Sequence, residues 1–177
     1  ALRRIQTNVD VWMFDGHGRA HPRGAGLATH MGVRAAIVSI GVAKSLLVGK
    51  IDFSAQCQRT TRFGRRLLAA PVRLGGAILA QALWSRPDAE PIFVRCGHCV
   101  TLDQAVAAVL DVLEEHRLPE PTHVADALSK QVRLLSARAG RLMVERGELP
   151  GDGERLSACA PPAGSAHLQF LPRWPRG

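Results

Sequence analysis

Short runs of strand-forming residues alternate along this chain with segments of helical period, and that alternation restricts the fold more than any other feature. Val9-Asp10-Val11-Trp12-Met13-Phe14 is the first such run, and it ends on Asp15-Gly16-His17-Gly18, where two glycines permit a tight turn. A buried strand that delivers Asp15 to its C-terminal end is expected. Arg19 to Gly26 reads as a loop, Leu27 to Met31 as a short helix, and Ala35 to Ile40 as a second buried strand ending at Gly41. Val42 to Val48 reads as the start of a helix. Asp52 to Pro71 is of mixed polarity, with a short helix expected around Arg65 to Ala70. Leu74 to Trp84 holds Gly75 and Gly76 and then an apolar run expected to be a strand, and Pro91 to Arg95 is the next strand, with Pro91 tolerable at its first position.

The clearest helix runs from Leu102 to about His116. Thr101, with Gln104 three residues on, has the form of a capping box. Leu102, Ala105, Val106, Val109, Leu110 and Leu113 recur at helical spacing, while Asp103, Glu114 and Glu115 lie off that stripe. Pro119 and Pro121 end this unit, and Pro121 suits the opening of another helix through Ala125 and Leu128. Such alternation points to an α/β layer. The chain has 177 residues, enough for one ordinary core, with no Tyr and 5% aromatic residues, so the interior must be mainly aliphatic. Residues 1–130 form the expected domain, 131–149 an additional helix, and 150–177, where Gly, Pro and Ala dominate, a flexible tail.

The formal net charge is +8, which favours an anionic partner. No acidic residue falls between Phe53 and Pro87, whereas Arg59, Arg62, Arg65, Arg66, Arg73 and Arg86 do. A solvated basic surface and a phosphate-facing patch are equally good readings of that stretch. The four cysteines are unevenly spread and the first residues lack the pattern of a secretory signal, so a reduced, cytoplasmic protein is expected. The apolar runs are short and broken, and none has the form of a membrane span.

Asp15 is the first candidate for chemistry. A carboxylate released from an apolar strand into a Gly-rich turn can hold a hard cation such as Mg²⁺, although turn or capping duty is the commoner fate of such a residue. His17, His21, Arg23 and His30 flank the same loop, where imidazoles and cations can contact a phosphate or move a proton. The spacing of His17 and His21 across Gly18 does not make a zinc site. Lys44 follows the second strand and can approach the strand-end region of Asp15, or else be an exposed lysine near a helix start. Cys96-Gly97-His98-Cys99 lies between a strand and a capped helix, the general setting of a dithiol oxidoreductase. Thr101 is the better helix cap, which puts Cys96 several residues before the helix.

Asp15-Gly16-His17-Gly18-Arg19-Ala20-His21-Pro22-Arg23 closely resembles the signature loop of the endonuclease V family. Further blocks resemble it in the same order: Gly26 to Val33, Ile40 to Ser45, Gly97-His98 with Thr101 to Ala105, and Arg117 to Thr122 with Ala125-Asp126. The resemblance implies a ribonuclease-H-like mixed sheet flanked by helices. It also implies Mg²⁺-dependent hydrolysis, with Mn²⁺ as the substitute ion, of phosphodiester bonds near deoxyinosine in DNA. Some relatives act on inosine in RNA, which makes such RNA the second expected partner. By the same resemblance Asp15, His21 and Lys44 are the expected catalytic residues, and Asp15 and Asp126 the metal ligands. Nucleic-acid contacts are expected at Gly16, His17, Gly18, Arg23 and Lys44, with Arg62, Arg65 and Arg66 as phosphate-facing arginines. The family carries, ahead of the segment matched by Ala1 to Thr7, a strand with another catalytic Asp and a segment with a wedge and a catalytic Glu. An N-terminally incomplete copy is therefore expected, as is a monomer for a complete one. A catalytically impaired nucleic-acid-binding fragment is the alternative function.

Overall fold

The computed structural model describes residues 8–19, 21 and 24–145, with side chains as far as residue 138. In chain order the elements are β1 (Trp12–Asp15), α1 (Leu27–Ala35), β2 (Ser39–Ala43), β3 (Lys50–Ile51), β4 (Cys57–Thr60), β5 (Arg66–Leu74), β6 (Ala77–Trp84), β7 (Ile92–His98), α2 (Leu102–Asp111) and α3 (Glu120–Glu145). The strands form one sheet in the order β1-β2-β7-β6-β5-β3, with β4 paired to β5 off this path. β1 and β2 are parallel, and every other described pair is antiparallel.

Side-chain alternation along each strand divides the core between the two faces of the sheet. Ile40 and Val42 of β2, Val94 of β7 and Leu83 of β6 pack against Ala105, Val106, Val109 and Leu113, so α2 covers this face. Each such fully buried Val or Leu contributes about 1.5–3 kcal/mol relative to an exposed one. The expected cap is present: Thr101 Oγ1 accepts from the Gln104 amide, and the Gln104 side chain accepts from the Thr101 amide. Along β2 the opposite face carries only small residues, Ser39, Gly41 and Ala43, and α1 contacts β2 and β7. Gly32 of α1 approaches so closely that an added Cβ would lie 2.2 Å from Ser39 Oγ and 2.4 Å from His98 Cβ.

Several expected elements shift. The first helix runs on to Ala35, and the second strand is Ser39–Ala43 rather than Ala35 to Ile40, so Val42 and Ala43 end a strand instead of opening a helix. Residues 44–49 are not helical. The helix expected at Arg65 to Ala70 is strand β5: Leu67 and Ala69 are buried between exposed Arg66 and Leu68, and pairing with β4 and β6 overrides the helical preference of Leu and Ala. Gly75 and Gly76 both take positive φ, 56° and 85°, and form the two-residue turn of the β5–β6 hairpin. α2 stops at Asp111, short of His116.

Contacts divide the chain into two compact units, Ala1–Gln131 and Val132–Gly177. The sheet lies in the first. In the second, residues 132–145 are helical and the described side chains are exposed. Residues 131–145 continue helix α3, and the remainder of the helix expected over 131–149 and the tail expected over 150–177 lie outside the described residues. No helix among the described residues is long and apolar enough to cross a membrane.

Candidate functional site

The parallel register of β1 on β2 sets Asp15 opposite Val42, two residues before Lys44. The Lys44 ammonium reaches back to donate to Asp15 Oδ2 at 2.8 Å, and it also donates to Asp126 Oδ1 at 2.9 Å. Asp126 comes from the second turn of α3, where Lys130, one helical turn further on, donates to its other oxygen at 2.6 Å. Two carboxylates distant in sequence therefore meet on one ammonium. Side chains of Lys44, Asp15 and Asp126 are 37%, 40% and 20% exposed, so solvent screens these pairs and the cluster is open to a ligand.

Charge balance shapes each group. Burial alone would lower the Lys44 pKa, but the hydrogen bonds it donates to Asp15 and Asp126, with their negative charges, outweigh it and the net direction is upward. Lys130 first and Lys44 second hold the Asp126 carboxyl down at about 2. Lys44 is fixed from its backbone side as well. Arg117 donates from Nη2 to the Lys44 carbonyl at 3.0 Å and to Pro91 O at 3.2 Å, and from Nε to Glu90 O at 2.9 Å.

The Gly16–Gly18 segment lies flat across the small-residue face of β2. A Cβ on Gly41 would sit 2.7 Å from Gly16 O and 2.9 Å from Gly18 N, and one on Gly18 would sit 2.0 Å from Cys96 O. These are backbone atoms with nowhere to swing, so only glycine fits at either position. The segment is tied down by Gly16 N to Val42 O, Arg19 N to Cys96 O and Ala28 N to His17 O, all 2.9–3.1 Å. Half-buried His17 follows, its pKa lowered by burial first and then by Arg95 and His21, and its Nδ1 has no hydrogen-bond partner among the described residues. The rings of His17 and His21 are 6.4 Å apart.

Of the residues singled out from sequence, Asp15, Lys44 and Asp126 are brought together, while Gly16, His17, Gly18 and His21 form the loop that follows Asp15. Arg23 lies outside the described residues. Arg62, Arg65 and Arg66 belong to the β4–β5 hairpin, where the Arg65 guanidinium donates to Ser85 O at 2.6 Å. Burial pushes the Cys96 thiol up, the opposite of the activation that dithiol chemistry needs. Cys99 is exposed, with φ of 52°. Sequence reading passed over Arg95, wholly buried with its pKa lowered to about 10 by burial, and the Arg117 clamp. It also passed over Lys130, which the four-residue spacing from Asp126 on a helix was enough to reveal.

Among the described residues no group of three or more His, Cys, Asp or Glu is placed to hold a metal ion. Asp15 and Asp126 nonetheless fit a Mg²⁺ ion in one respect: both offer hard carboxylate oxygen to the same positive charge, and Mg²⁺ commonly takes one or two carboxylates, completing its shell with water and substrate phosphate.

A mixed sheet flanked by helices, with a carboxylate at the end of a strand in its parallel pair, makes this a ribonuclease-H-like protein. The sequence profile of endonuclease V matches residues 1–127. The chain belongs to the endonuclease V family. It is 40% identical to endonuclease V of Roseiflexus castenholzii over 76% of its own length and 57% of that protein's. Among solved structures, endonuclease V of Bacillus subtilis superposes with a TM-score of 0.69 at 26% identity, over 78% of this chain and 57% of that one. Endonuclease V of Ciona intestinalis, solved with a DNA containing an inosine followed by a ribo-adenosine, gives 0.53 at 26% identity, over 71% and 55%. The chain spans about half the length of the relatives it matches.

Proposed function

We propose that this site hydrolyses phosphodiester bonds near deoxyinosine in DNA, in a metal-dependent reaction of DNA repair. The observation that carries the reading is the convergence of Asp15 and Asp126 on the Lys44 ammonium at 2.8 and 2.9 Å. Family membership and the inosine-containing DNA bound by the Ciona relative support the choice of substrate.

Asp15 and Asp126 would hold Mg²⁺ or Mn²⁺. When bound, the ion supplies Lewis-acid polarisation of a phosphoryl oxygen and a more acidic water. Lys44, kept cationic by its two carboxylates, offsets negative charge on a phosphate drawn to the strand ends. His21 is the proton-handling group of the loop. Gly16 and Gly18, lacking side chains, let nucleic acid approach the backbone, and a flipped base is read in the loop around them. His17, Arg23, Arg62, Arg65 and Arg66 serve as nucleic-acid contacts. Inosine-containing RNA is the second substrate class.

The test is cleavage of an inosine-containing duplex with Mg²⁺, followed on a denaturing gel. Asp15→Ala should reduce cleavage at least about 100-fold, the scale on which one charge-stabilising group acts in such sites, while duplex binding is retained. Unchanged cleavage removes Asp15 from the reaction. One observation favours a second reading, a nucleic-acid-binding chain with impaired catalysis: only two described carboxylates meet at the site. Salt-sensitive binding without any cleavage by the parent chain would decide for it.

A further inference from the structure

Beside the carboxylate pair lies a hollow of about 350 Å³, on the Lys44 and Asp126 side, whose walls do not include Asp15. Four cations line it: Lys44, Arg86, Arg117 and Lys130. Asp126 is the one carboxylate among the described residues that line it, and that carboxylate already accepts from both lysines. Arg117 is committed to three backbone carbonyls, which leaves exposed Arg86 as the cation whose side chain has no structural task among the described hydrogen bonds. His116 and His123, which also line the hollow, stack face to face, with ring centroids 3.8 Å apart and planes 11° from parallel. Glu120 Oε2 lies 3.9 Å from His116 Nε2 and faces the pair from the first turn of α3.

We propose that this hollow is a phosphodiester subsite: it takes the backbone phosphate adjacent to the one held at Asp15 and Lys44, and so sets the register of the bound strand. Three features carry the assignment. The lining has a surplus of positive charge, with its single carboxylate neutralised within the cluster. The hollow is continuous with the site through Lys44 and Asp126, so a strand whose scissile phosphate meets Lys44 borders a hollow that Arg86 and the imidazoles also line. The stacked pair offers ring N–H groups from two residues, which suits a multidentate anion better than a single cation does. The assignment rests on the nuclease reading for its substrate, but its chemistry, anion recognition beside the carboxylates, does not need turnover.

The experiment uses the full chain without added metal, so that binding is read apart from cleavage. The probe is a fluorescently labelled oligothymidylate, which contains no inosine, titrated by anisotropy over a range of salt. Arg86→Ala combined with His116→Gln and His123→Gln should weaken binding about 5- to 10-fold. It should also reduce the slope of log K against log salt by about 0.7, the loss of one single-strand phosphate contact. Because the probe contains no inosine and no metal is added, the slope is read independently of cleavage, which separates failure of this subsite from failure of the nuclease reading. Arg86→Ala alone, at an exposed position, should move the slope in the same direction and keeps the test decisive if the triple variant does not fold. Parent-like slopes in both variants overturn the proposal. So does inorganic phosphate that displaces the oligonucleotide at equal molar concentration, since the hollow would then be a site for free phosphate.

Discussion

Removal of the Arg117 guanidinium tests whether the site is held from beneath. Its three hydrogen bonds join the segment between α2 and α3 to the loop after β2 and to the entry of β7. A hydrogen bond from a charged donor contributes about 1.5–3 kcal/mol when shielded, and less where water can replace it. Two of the three bonds here are at exposed positions and the third is part-buried, so Arg117→Ala should cost about 3 kcal/mol in total. With an unfolding entropy near 2.1 cal/mol/K per residue, a sheet unit of this size loses about 4 °C per kcal/mol, so Tm should fall by about 12 °C. The assay is thermal unfolding followed by far-ultraviolet circular dichroism, with Arg117→Lys alongside. A compact ammonium lacks the planar fork that lets Nε and Nη2 point at separate carbonyls, so lysine should recover only about a third of the loss. A Tm for the alanine variant within about 3 °C of the parent would refute the clamp and, with it, the account of what fixes Lys44.

Other expectations follow from the same geometry. Gly18→Ala, which drives a methyl into the Cys96 carbonyl, should cost about 1–3 kcal/mol by urea denaturation and should move the amide resonance of Arg19, which donates to that carbonyl. Thr101→Ala should remove about 1 kcal/mol by opening the capping box, a drop in Tm of about 4 °C. Because the folded pKa of Asp126 is depressed to about 2, the stability it contributes is fully present above its ordinary carboxylate range and is lost as pH falls toward 2. Lys130→Ala should raise that pKa, readable as an upward shift in the NMR titration of the Asp126 carboxyl carbon. An unmoved titration would show that Lys44 alone holds the charge.

The parts of the fold readable from sequence are those whose signals are local. The stripe from Leu102 to Leu113 and its Thr101–Gln104 cap mark α2 by periodicity and hydrogen-bonding chemistry, although the helix stops at Asp111, and the apolar run before Asp15 marks β1 in the same way. β5 was hidden because Arg66-Leu67-Leu68-Ala69-Ala70 carries helix-favouring residues, and only pairing with β4 and β6, invisible in one sequence, turns them into a strand. At the site, Asp15 stood out by its place before a Gly-rich turn, whereas Asp126 rested on resemblance alone. Nothing local distinguishes Asp126 from another helical acid, because its meaning comes from a lysine 82 residues away in the chain. Arg117 was unreadable for a related reason: its partners are backbone carbonyls, which carry no residue identity.

Asp15 and Lys44 are mounted on unequal supports. β1 is the terminal strand of the described sheet and has β2 as its one described neighbour, while β2 is flanked on both sides. The two halves of the ion pair therefore have different mechanical stiffness, and local opening of the margin separates the acid from the amine without melting the centre. Amide hydrogens of Met13 and Phe14 should exchange faster than those of Ile40 and Val42. Anything that grips the outer border of β1 thereby tunes how firmly the carboxylate is presented.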